Sequence, residues 1–157
     1  RPGLAVEAFA AVREEYPDAE LYLCGEGPLL GELEKRATEL DVREAVTFLG
    51  QVPYEEMPAV YRAADLLILP SRAEGVPRTV MEGLSTGAPV VCSNLEHVRS
   101  AFGEAVTYFD EGNSQMLTEA MSRELSSRQE VALDEGFRWR KTVEETTARL
   151  RELLQSG

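Results

Sequence analysis

The sequence predicts an α/β fold, a doubly wound parallel sheet with helices on both faces. Two observations carry that expectation. Apolar runs of strand length alternate with amphipathic stretches of helix length along the chain. The strand runs are apolar along most of their length, the pattern of strands covered on both sides. Crossovers between parallel strands are almost always right-handed, and so wind the helices onto both faces. Ligands of such sheets bind in the crevice beyond the carboxyl ends of the strands.

The elements follow in order. LAVEAFAAVREEY places Leu4, Val6, Ala8, Phe9 and Val12 mainly on one side of a helix that Pro17-Asp18 ends. AELYLCG reads as a strand closed by Gly25. PLLGELEKRATEL reads as a helix started by Pro28. AVTFLG is a strand, YEEMPAVYRAA a short helix distorted by Pro58, and DLLILP a strand rich in aliphatic residues. RTVMEGLSTG is a helix ended at Gly87, APVVCS the next strand, LEHVRSAF a short helix and AVTYF the last strand. Helices then fill Ser114–Leu125, about Arg128–Gly136 and Trp139–Leu154. The carboxyl-edge rule picks out the loops after Cys24, Leu49, Leu69 and Cys92.

Composition bounds the function. The 157 residues fit one domain, and 43% hydrophobic residues supply a full core. The formal charge of −12, from 28 acidic and 16 basic residues, would repel a polyanion, and no basic stripe offsets it, so nucleic acid is not an expected partner. An anionic ligand would have to be held by local groups against that field. No apolar run is long enough to cross a bilayer as a helix. Cys24 and Cys92 both sit in apolar strand runs and read as buried free thiols. Two cysteines without paired spacing make neither a zinc site nor a disulfide framework. The expected compartment is the cytoplasm.

The stretch richest in chemistry is LPSRAEGVPRTVMEGLSTGAPVV. A strand ends at Leu69, a loop follows, and a helix begins near Pro77 or Arg78, where proline suits the first turn. The free amides and positive dipole end of that helix form an anion site suited to a diphosphate. Glu74 lies just before the helix and Glu82 inside it, eight positions on. A carboxylate accepts two hydrogen bonds from vicinal hydroxyls, as on a ribose or a hexose. One acid per ring, with amides between, would grip a sugar nucleotide along its length. An exposed loop glutamate and a surface helix glutamate are the plain alternative in so acidic a chain.

EGVPRTVMEGLSTGAPVV resembles the signature of family 4 glycosyltransferases, in which Glu, seven residues and Glu precede a small-residue helix and G-x-P-V-V. PDAELYLCGEGP, VTFLGQVP, YRAADLLILPS and FRWRKTVEET resemble further segments of that family, in the same order, from about Ala8 to Leu154. The resemblance implies the C-terminal, Rossmann-like donor-binding half of a GT-B enzyme, with residues 1–137 as the nucleotide-sugar domain. The helix in 138–157 would cross back to an N-terminal acceptor domain outside this chain. The family's first strand of this half, and most of its diphosphate-neutralising Arg/Lys pair, would precede Arg1, which itself sits next to that motif without being its key cation.

The resemblance also implies roles. Glu82 matches the acid that binds the ribose. Glu74 matches the acid that contacts the transferred sugar and is the catalytic candidate. Gly75, Val76 and Pro77, with the amides of Arg78, Thr79 and Val80, match the segment around sugar and diphosphate. Arg72 either reaches the diphosphate or is a surface arginine. Gly50, Gln51 and Val52 match the segment whose backbone meets the base. The implied activity is retaining, metal-independent transfer of a hexose from a UDP- or GDP-sugar, with no cofactor. The implied partners are the nucleotide sugar and the acceptor domain, with membrane contact only through that domain, and self-association through exposed interdomain surface. Pro77 stands where many members have glycine. After the strand, the run SNLEHVRS departs from the family's Gly-Gly and Glu.

Other residues have plainer readings. The lone His97 is a solvated or capping side chain. CGEGP is a turn, Trp139 a packing anchor, and Asp65 a helix-ending or turn residue ahead of its strand. Three alternatives compete with the transferase: half of a sugar-nucleotide epimerase, a binding scaffold without catalysis, and a receiver-type signalling domain. The last needs an aspartate at a strand's carboxyl end, where this chain has Cys24, Gly50, Pro70 and Ser93.

Overall fold

The computed structural model describes residues 1–134, with side chains to residue 127. Helix α1 (Pro2–Glu15) opens on Pro2, where its missing N–H costs nothing. β1 (Leu21–Cys24), α2 (Leu30–Glu39), a 3₁₀ turn (Arg43–Ala45) and β2 (Val46–Gly50) complete the first half. Then come α3 (Met57–Ala63), β3 (Leu67–Leu69), α4 (Arg78–Ser85), β4 (Val90–Ser93), α5 (Glu96–Phe102), β5 (Thr107–Phe109) and α6 (Ser114–Asp134).

All strand pairs are parallel, as the apolar strand runs predict. β1 pairs with β2, Leu21 opposite Val46, with an irregularity that brings Cys24 opposite Gly50. β4 lies between β3 and β5, Val91 opposite Ile68 and Thr107. β4 is buried throughout, and its alternating side chains divide two cores. Val91, with Phe109, faces Val6, Phe9, Val12, Leu117 and Met121 of α1 and α6. Val90 and Cys92 face Val80 of α4 and Val98 of α5. Helices therefore cover both faces.

The sheet comes in two pieces. Among the described residues β1 pairs only with β2, and β3 only with β4. Leu23 and Leu67–Leu69 are correspondingly half-buried, where β4 is closed on both sides. α1 bridges the pieces, packing on α2 and β1 to one side and on α6 to the other.

Two helices end in the same way. After α2, Asp41 turns left-handed (φ 57°); Val42 N–H reaches the Ala37 carbonyl at 2.9 Å and Asp41 N–H that of Thr38 at 3.1 Å. After α4, Gly87 (φ 81°) does the same, with Ala88 N–H on Gly83 at 3.2 Å and Gly87 N–H on Leu84 at 3.1 Å.

Several expectations need correction. The helices read as Ser114–Leu125 and Arg128–Gly136 join into α6, continuous to Asp134. The Ser126-Ser127 pair suggests a break, but Ser126 Oγ donates to the Ser122 carbonyl and Ser127 Oγ to that of Glu124, both at 2.9 Å. The hydroxyls are thus satisfied inside the helix. Pro58 does not distort α3, because the helix begins only at Met57 and the proline sits in its first turn. α2 begins at Leu30, after a turn closed by Leu30 N–H on the Gly27 carbonyl. Cys92 is a buried free thiol as expected, whereas Cys24 is exposed at the end of its strand. The helix expected at Trp139–Leu154, and with it the interdomain segment 138–157, lies outside the described residues.

Candidate functional site

β3 and β4 run parallel, so the loop from Pro70 to Pro77 leaves the carboxyl edge of the sheet and α4 turns its amino end toward that edge. Packing holds α4 in place. Val80 is fully buried, and Gly83 lies so close to β3 that a Cβ there would stand 2.6 Å from Leu67 Cδ2. No side chain caps the amino end. The buried Pro77 offers its carbonyl to Val80 N–H at 3.2 Å and Met81 N–H at 3.4 Å. The amides of Arg78 and Thr79 make no backbone hydrogen bond among the described residues. Uncapped donors at the positive end of a helix are complementary to an anion.

Two glutamates flank this end, each half-buried and each held by a hydroxyl. Glu74 Oε1 accepts from Ser71 Oγ at 2.6 Å within the loop. Glu82 Oε2 accepts from Tyr61 Oη at 2.9 Å, across from α3. Its other oxygen meets Arg78 Nη2 at 3.5 Å, and that guanidinium lies 5.4 Å from the centre of the exposed Tyr54 ring. Tyr61 is 4% exposed; burial first, and then the bond to Glu82, push its phenol up to about 12. It therefore remains a donor at neutral pH.

Gly75 and Val76 are exposed in the loop. Arg72 is exposed, its Nε 3.9 Å from Glu111 Oε1, an oxygen that also takes Arg1 Nη2 at 2.9 Å. Glu111 follows β5, so the ends of β3 and β5 and the chain start meet at this edge.

Gly50 takes a positive φ of 65° at the end of β2, and its carbonyl accepts Gly25 N–H at 2.6 Å. The Gly25–Pro28 turn is thereby fastened beside Gln51, which is exposed, and Val52, which is half-buried. His97 is exposed, as a solvated reading expects. Sequence reasoning missed Ser71, Tyr54, Tyr61 and Glu111. Only Ser71 lies within the segment already singled out; the others become neighbours through tertiary packing.

Two clefts, of about 290 and 340 Å³, lie away from this site, between α1 and α2 and between α1 and Leu40–Val42.

Residues 1–138 match the family model described as glycosyl transferases group 1. The chain is 31% identical to D-inositol 3-phosphate glycosyltransferase of Corynebacterium urealyticum over a 169-residue alignment covering 99% of this chain and 40% of that protein. It is 34% identical over 96 residues to mannosylfructose-phosphate synthase of Agrobacterium fabrum, covering 56% of this chain and 21% of that one. The chain thus spans well under half the length of these curated relatives. Among solved structures, the C-terminal domain of a glycosyl transferase group 1 family protein (LpcC) from Francisella tularensis superposes with a TM-score of 0.72 at 21% identity, covering 80% of this chain and 68% of that one. Anabaena Alr3699/HepE in complex with UDP and glucose superposes at 0.68 with 20% identity, covering 98% and 44%. At such identities these two likenesses speak for the fold, while the family model covers most of the sequence. On that match, the chain belongs to the glycosyl transferases group 1.

Proposed function

We propose that this chain is the C-terminal, donor-binding half of a retaining, metal-independent GT-B glycosyltransferase of family 4. It would hold a UDP- or GDP-linked hexose as donor substrate, without a cofactor, while a domain outside this chain holds the acceptor. The observation that carries the proposal is the uncapped amino end of α4 at the carboxyl edge of the sheet, flanked by Glu74 and Glu82.

In this reading the free amides of Arg78 and Thr79 receive the diphosphate, with Gly75, Val76 and Pro77 shaping the turn beneath it; the Val80 N–H, expected to join them, is instead taken by the Pro77 carbonyl at 3.2 Å. Glu82 takes the ribose hydroxyls, and the backbone of Gly50, Gln51 and Val52 meets the base. Glu74 contacts the transferred sugar. Arg72, steadied by Glu111, lies within the same edge as a cation for the diphosphate. The chemistry is front-face attack, in which a diphosphate oxygen of the donor helps deprotonate the acceptor hydroxyl. The protein contributes placement and charge stabilisation.

The two-piece sheet supports a companion proposal about domain organisation. A strand preceding Arg1 in the full-length protein lies between β1 and β3, pairing with both free edges. Residues 1–137 complete this domain, and residues 138–157 lead on toward the acceptor domain. α1 already spans the two pieces, and Arg1 lies at the carboxyl edge, where a parallel strand would end. The whole enzyme works in the cytoplasm, at the inner membrane face through its other domain. The chain alone binds the donor weakly, turns nothing over, and self-associates through surface that the other domain would cover.

Isothermal titration with UDP, GDP and their hexose conjugates tests the reading. The unaltered chain binds one nucleotide class, and Glu82→Ala weakens that binding at least about tenfold, the loss of a charge-assisted hydrogen bond. Silence toward every nucleotide, or equal affinity in both proteins, contradicts it.

A further inference from the structure

Glu82 is on a helix, with a flexible side chain, yet a ribose needs its carboxylate in one orientation. The structure places a buried donor against one of its oxygens. Tyr61 projects from α3, which packs directly against α4, and its ring is almost wholly enclosed. Its hydroxyl donates to Oε2 of Glu82 at 2.9 Å. The contact on Oε1 is of another kind: Arg78 is 71% exposed, and its 3.5 Å pair with Glu82 is a surface ion pair of small net worth.

We infer that Tyr61 is the positioning residue for Glu82, clamping Oε2 so that Oε1 is presented to the ribose in the place Arg78 now occupies. The inference rests on the donor-site reading of Glu82. A carboxylate offers about four lone-pair sites over its two oxygens. A rigid, buried donor on one oxygen fixes the plane of the group and leaves the outward lone pairs for a diol. Arg78, held among the described residues by Glu82 and by the exposed Tyr54 ring, swings aside when the nucleotide arrives. The clamp stays on across the physiological range, because burial and the carboxylate keep the phenol protonated. Ordering Glu82 before the ligand binds removes part of the entropic cost of binding.

A merely structural Tyr–Glu tie between two helices would not affect which sugar the site prefers, so the test reads ribose preference. Affinities for UDP and 2′-deoxy-UDP, and for GDP and 2′-deoxy-GDP, are measured by titration calorimetry on the unaltered chain, Tyr61→Phe, Glu82→Ala and the double variant. The unaltered chain prefers the ribonucleotide about tenfold or more. Tyr61→Phe weakens ribonucleotide binding about fivefold and leaves the deoxynucleotide unchanged, so the preference shrinks. In the Glu82→Ala background Tyr61→Phe has no further effect. Should Tyr61→Phe fold poorly, the unaltered chain labelled with 3-fluorotyrosine gives the second readout: the Tyr61 ¹⁹F resonance shifts with UDP and stays put with inorganic pyrophosphate. An unchanged ribose preference in Tyr61→Phe, or a ¹⁹F resonance that ignores UDP, overturns the inference while leaving the donor site standing. Absence of nucleotide binding by the unaltered chain removes the donor-site reading and this inference together.

Discussion

At the scale of single residues, the site depends on polar groups held in place by neighbours distant in sequence. Tyr61 and Glu82 make the clearest case, since their bond has a pH signature. The phenol is raised from 10 to about 12 in the folded chain, first by burial and then by Glu82. The folded state therefore keeps its proton where the unfolded state loses it. The resulting stabilisation is complete below pH 10 and is lost as pH climbs through 12. Absorbance titration at 295 nm should show one tyrosine ionising near 12, absent in Tyr61→Phe. Between pH 10 and 12, Tyr61→Phe should lose less stability than the unaltered chain. Cys92, pushed to about 11 by burial, contributes to both proteins alike and drops out of the comparison. Glu82 and Glu74 could be picked out from their spacing around a helix start. Tyr61 could not, because nothing local to YRAAD says which of α4's side chains it will meet. The same holds for Cys24: an apolar run predicts burial, but the sulfur lies where β1 ends and Gly25 turns away.

At the scale of elements, α4 bears the most on the proposed function, since its position aims the amino end. Gly83 lets it lie close on β3. Gly83→Ala would push a methyl against the movable end of the Leu67 side chain while gaining about 1 kcal/mol of helix propensity, so the two should nearly offset and urea denaturation should show a change within about 1 kcal/mol. Asp41, at φ 57°, gives a second test. Asp41→Gly should raise stability by roughly 0.5 kcal/mol, since glycine adopts the left-handed turn after α2 without Cβ strain. The alternation of strands and helices was readable because burial on both faces leaves continuous apolar runs. Boundaries and breaks were less so. Ser126-Ser127 looks like punctuation until its hydroxyls bond back to the helix, and Pro58 looks like a kink until the helix is seen to start beside it.

At the scale of the whole molecule, the parallel sandwich followed from the apolar pattern, but the division of its sheet did not, because pairing across β1 and β3 is a tertiary fact. Those two edges carry a further prediction from the proposed domain organisation. Extending the chain with the residues that precede Arg1 in the full-length protein should slow amide exchange at Leu21–Cys24 and Leu67–Leu69 and raise the melting temperature. Unchanged exchange at both strands would contradict a strand between them. The charge of −12 sets the other molecular-scale constraint: in the proposed reading an anionic donor would have to be held by a few oriented amides and hydroxyl-braced acids, against the overall field.

The most direct measurement is a ¹⁵N-resolved NMR titration of the chain with UDP and GDP. The account predicts that one of them shifts the amides of Arg78, Thr79 and Val80 together with those of Gly50, Gln51, Val52 and Glu82. Shifts confined to the cleft around Gly3, Glu7 and Arg36, or none with either nucleotide, would contradict it.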